Sequence, residues 1–97
     1  MPDINHYPTE EELEIIKKWD ITKDPIGLVD YLEDVWEYAD MGIVRRGKNV
    51  INLELHTYGW SGNEEIIEAL HVNLFFMFYW QKSLRGGHYY FKVKRYK

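Results

Sequence analysis

Two short glycine-bearing segments of this chain hold most of the side chains that can recognise a ligand. The first is Thr57-Tyr58-Gly59-Trp60-Ser61-Gly62-Asn63-Glu64-Glu65. Its glycines allow close backbone approach or positive φ, and it runs into a helical pattern whose first free N–H groups favour an anion. Trp60 offers a flat apolar face for a ring, and Ser61 and Asn63 add hydrogen-bonding groups. The same residues also admit a purely structural reading, in which Ser61 and Glu64 form a capping box or Asn63 caps the helix alone. Glu64 and Glu65 would then complement the helix dipole and repel an anion. The second segment is Ser83-Leu84-Arg85-Gly86-Gly87-His88-Tyr89-Tyr90. A hairpin needs only its glycines, so Arg85 and His88 are surplus to the turn. Beside an indole they would make a pocket for phosphate and an aromatic ring. If the two segments form one site, Trp60 and Arg85 are expected within roughly 10 Å of each other.

Other groupings carry less. Glu54-x-His56 projects two polar side chains from one strand face, and with His88 it makes the acid–base set of a small hydrolase. Two such groups do not make a metal site, and with no cysteine in the chain a thiolate site is excluded. Neither a cofactor nor a metal is expected. Gly59-Trp60-Ser61-Gly62 is not a nucleophile elbow, since the serine stands one position too early. Tyr90, Lys92 and Lys94 share a face of the last strand, which with Arg95 and Lys97 suggests a nucleic-acid stripe of stacking and charge. Cross-strand pairing with Glu54 would occupy one of those lysines. His6 and His71 read as surface residues, and Trp36, Phe75, Phe76, Phe78 and Trp80 as core.

The elements that must position these groups follow from periodicity and caps. Thr9 with Glu12 reads as a capping box opening a helix that carries Leu13, Ile16 and Trp19 on one face. Asp24-Pro25 opens a second helix, with Ile26, Val29, Leu32, Trp36 and Ala39 inward and Asp30, Glu33, Asp34 and Glu37 outward, stopping near Gly42. A short strand over residues 43–45 precedes the Gly47-Lys48-Asn49 turn. Residues 50–58 alternate as a half-buried strand with Ile51, Leu53, Leu55 and Thr57 inward. A helix is expected over 63–72, with Ile66, Ile67 and Leu70 inward. Leu74 to Ser83 reads as a central strand rather than a continuing helix, and 88–96 as the closing strand after a hairpin at Arg85-Gly86-Gly87. The expected fold is therefore a single α+β domain over residues 1–97, with two N-terminal helices, a three- or four-stranded antiparallel sheet and one further helix.

Ninety-seven residues suit one domain, and an apolar fraction of 45% suffices for a core. No apolar leader opens the chain and no apolar run approaches a membrane span, so a cytoplasmic protein without membrane contact is expected. Charge is segregated: residues 1–40 hold twelve acids and three lysines, whereas residues 41–97 hold four acids and nine bases. The simplest expectation is that the acidic helical half neutralises the basic sheet half within the fold, which ranks nucleic acid as the lesser partner.

The string from Thr57 to Leu70, followed by Asn73, Trp80, Ser83 and Arg85-Gly86-Gly87-His88-Tyr89, resembles a family of small, functionally uncharacterised proteins encoded by phages and prophages. The likeness covers residues 50–91. It implies a phage-type accessory role and that the two glycine segments form one site. The resulting expectation is a non-enzymatic binding domain for a small anionic or aromatic ligand, or for a host protein. Its site would use Trp60, Ser61, Asn63, Arg85 and His88. The hydrolase built on Glu54, His56 and His88 is the runner-up, and the nucleic-acid module comes third.

Overall fold

A computed structural model describes residues 8–94; His6, Arg95 and Lys97 lie outside the described residues. The first helix, α1 (Glu10–Lys18), starts at the capping box: Glu12 N–H donates to the Thr9 hydroxyl and Thr9 N–H to the Glu12 carboxylate. In α2 (Pro25–Val35) the Asp24 side chain accepts from Gly27 N–H, with Pro25 in the first turn. The helix ends at Val35, with Trp36 as its C-cap, rather than near Gly42. Glu37 therefore falls outside the helical register and is 4% exposed instead of facing water. Tyr38, left-handed at φ 56°, turns the chain into a short helix, α3 (Ala39–Gly42).

Two hairpins build the sheet. The first pairs β1 (Ile43–Arg46) with β2 (Val50–His56), and the second pairs β3 (Trp80–Leu84) with β4 (His88–Lys94). All pairs are antiparallel, in the order β1-β2-β4-β3. The last strand is thus central, beside β2, and β3 is an edge. Between the hairpins lie α4 (Ser61–Val72) and α5 (Leu74–Tyr79). The aromatic run at 74–83 is therefore a short helix followed by an edge strand, not a central strand. Phe75 and Tyr79 are buried, whereas Phe78 and Trp80 of the expected core are half exposed. A continuous apolar run has no period to separate helix from strand, and Asn73 decides the matter: its side chain accepts from Phe75 N–H and starts a new helical turn.

One face of the sheet meets the helices. Ile51, Leu53, Leu55, Phe91 and Val93 point into the core with Ile66, Leu70 and Phe75. The opposite face is uncovered, and no residue of its outward rows is buried. Among the described residues no helix is long and apolar enough to cross a membrane.

Candidate functional site

The site lies where β2, the hairpin tip and the Tyr38 bend meet. Strand β2 stops at His56, two residues short of the expected end. Thr57 carbonyl then accepts from Trp60 N–H at 3.0 Å, closing a turn whose central residues Tyr58 and Gly59 both have positive φ, 51° and 74°. That is the signature of a type I′ turn, where glycine, asparagine or aspartate normally stands first. Tyr58 holds this conformation at a backbone cost of about 1–2 kcal/mol.

Trp60, not Ser61 or Asn63, is the N-cap of α4, and no side chain caps this helix. Asn63 is wholly buried instead. Its amide oxygen accepts from Glu37 N–H at 2.8 Å and its amide nitrogen donates to Glu37 carbonyl at 3.2 Å. Both ends of its side chain are thus spent on the segment after α2, and Asn63 leaves the expected ligand set. Ser61 is exposed at the start of the helix.

The freed backbone puts Trp60 against Tyr38, with ring centroids 5.3 Å apart. Together with Met41 and Tyr58 they line an open concavity of about 500 Å³. Tyr58 is 55% exposed, Met41 59% and Trp60 37%, so the rings face solvent. The Tyr58 hydroxyl donates to Met41 carbonyl at 3.4 Å, closing the floor. Tyr38 and Met41 were not among the expected site residues, because nothing local links them to Trp60.

The hairpin tip does converge on this turn, but through backbone and histidine rather than through Arg85. Thr57 N–H donates to Gly87 carbonyl at 2.9 Å. A Cβ at Gly87, φ 83°, would collide with the Thr57 side chain, so only glycine lets the tip approach this closely. His56 and His88 are directly opposed across β2 and β4, their Nδ1 atoms 2.6 Å apart. Arg85 is exposed at the tip and makes no ion pair, hydrogen bond or ring contact among the described residues. The His56 ring lies 6.1 Å from Tyr58 and 6.0 Å from Tyr90, which joins the histidine pair to the concavity.

Glu54, His56 and His88 form a relay. The Glu54 carboxylate is 3.1 Å from His56 Nε2. A carboxylate can only accept, so in the neutral pair His56 carries its proton on Nε2 and its Nδ1 is a lone pair. That lone pair must accept from His88 Nδ1–H, which leaves a bare lone pair on His88 Nε2. The lysine pairing expected for Glu54 is absent, since its cross-strand partner is Tyr90 and its carboxylate serves His56. A nitrogen separation of 2.6 Å is shorter than two ligands of one tetrahedral metal would adopt. No group of three or more metal-ligating side chains occurs among the described residues.

Comparison with protein-family models, with curated proteins and with solved structures finds no match for this chain.

Proposed function

We propose that the protein is a non-enzymatic binding domain for a ligand with a planar ring and a polar or anionic group. The ring sits between Tyr38, Met41, Tyr58 and Trp60, and the polar group meets His88 beside them. The observation that carries this reading is the backbone at two tyrosines. Tyr38 and Tyr58 are the two non-glycine residues with positive φ among the described residues, and both line one concavity. Left-handed geometry at a bulky residue is a recurring mark of a functional constraint. A host protein would satisfy the same groups with an aromatic or acidic side chain. The resemblance of residues 50–91 to small phage-encoded proteins supports an accessory role in a phage or prophage, and the absence of cysteine suits a cytoplasmic one.

Anilinonaphthalenesulfonate, a planar aromatic anion, is a direct probe. Trp60→Ala should weaken its binding about tenfold, the loss of one stacking partner, without lowering the melting temperature. Met77→Ser, at an exposed position of α5 that does not line the concavity, should change nothing. Equal binding by the Trp60 variant rejects the reading.

One observation favours a second reading, the small hydrolase: the relay ends in a lone pair on His88 Nε2 that has no hydrogen-bond partner among the described residues and can take a proton from water. No hydroxyl is hydrogen-bonded to that nitrogen among the described residues, so the nucleophile would be water itself. Turnover of an aryl ester or aryl phosphate that disappears in His88→Gln would establish this reading over simple binding.

A further inference from the structure

Charge on the uncovered sheet face is not neutralised within the fold. Among the described residues, the only base of 41–94 that pairs with the acidic helices is Arg45, held by Asp30 and Glu33 on the covered side. Arg46, Lys82, Lys92 and Lys94 stand on the other face. None of them makes an ion pair among the described residues. The register places them closely. Arg46, Asn52 and Lys92 form one row across three strands; Lys82 and Tyr90 share the next, with the Lys82 ammonium 4.9 Å from the Tyr90 ring centre. Lys94 stands two positions beyond Lys92, a spacing of ~6.7 Å along the strand. The single acid in the rows between them, Glu54, is committed to His56.

Unneutralised cations on a sheet face that leads, past the row of His56 and His88, to a slot for an aromatic ring have the two components of a single-stranded nucleic-acid surface: a positive track for phosphates and a platform for a base. From the row of Asn52 and Lys92 to His56, whose ring lies 6.1 Å from that of Tyr58, is about 13 Å along β2, the reach of a few nucleotides. A duplex keeps its bases stacked and cannot offer one to Trp60.

We infer that the ligand of the ring slot is a base of single-stranded nucleic acid, whose phosphates run over Arg46, Lys82, Lys92 and Lys94. The inference rests on the ring slot binding a ligand, and it adds the polymer and the sheet face. The test is fluorescence anisotropy on the full chain with a labelled oligothymidylate of about twelve nucleotides. Competition uses thymidine monophosphate, a duplex and anionic phospholipid vesicles. The oligonucleotide is expected to bind at least tenfold tighter than the mononucleotide. Its log-affinity should fall with log salt at a slope of about −2 to −3, for three or four phosphates on a single strand. The triple variant Lys82→Gln, Lys92→Gln, Lys94→Gln should lose that advantage and most of the slope while binding the mononucleotide normally; Trp60→Ala should weaken both ligands. All three lysines are exposed, and an unchanged melting temperature confirms that the triple variant is folded. An oligonucleotide no tighter than the mononucleotide, or indifferent to the triple variant, overturns the inference and leaves the ring slot standing. Equal competition by duplex, or by vesicles, likewise overturns it. If neither nucleotide depends on Trp60, the ring slot itself fails.

Discussion

At the residue scale the histidine pair behaves as one group. His88→Ala should weaken binding of a ring that carries a polar group by roughly fivefold and leave a bare ring of the same shape unaffected. An equal loss for both rings rejects the assignment of His88 to the polar group. Little of this pairing was legible from Glu54, His56 and His88 alone. The i, i+2 spacing of the first two gives a common face, but the partnership of His88 depends on a strand register 32 residues away. Trp60 was legible as an exposed ring because it lies between two nearby glycines, Gly59 and Gly62. Tyr38 was not, since its place beside Trp60 follows from where α2 ends.

At the scale of elements, two buried asparagines tie separate pieces of chain together. Asn73 closes α4, starts α5, and donates to the carbonyls of Ile16 at 2.8 Å and Trp19 at 2.9 Å, where α1 ends. Its replacement by alanine would leave the N-terminus of α5 uncapped and remove the amide donor from the carbonyls of Ile16 and Trp19, a loss of about 2–4 kcal/mol. Asn73→Asp keeps the acceptor for Phe75 but not the donors, and should fall between alanine and wild type in thermal melts. Asn63→Ala should cost about 2 kcal/mol through Glu37 while leaving the ring slot lined as before. Local signals were readable: the Thr9–Glu12 box, Asp24-Pro25 and the glycine hairpin formed as their residues dictate, and the alternating strand expected over 50–58 formed as far as His56. What escaped were the non-local terms. Asn63 looks like a cap by sequence but is claimed by a segment 26 residues upstream, and the 74–83 run is divided by one buried amide.

At the scale of the whole molecule, the fold is asymmetric in charge and in protection. Core strands β2 and β4 have neighbours on both sides, whereas β3 is exposed along its length and interrupted by an irregularity between Trp80 and Lys82. Hydrogen exchange should find the slowest amides in β2 and β4 and the fastest strand amides on the outer edge of β3, with α5 also opening early. Equal protection of β3 and β4 would contradict this strand order. The acidic surface of α1, α2 and α4 lies on the covered side, which leaves the open face with a positive field of its own.

The left-handed tyrosines set durability against use. Glycine at position 38 or 58 would relieve the backbone there and, at the same stroke, strip a wall from the aromatic slot. On the proposed function, heat resistance and ligand affinity are thus opposing demands on the same two residues. A hardier version of this protein is most simply reached by opening the concavity that we propose as its binding site.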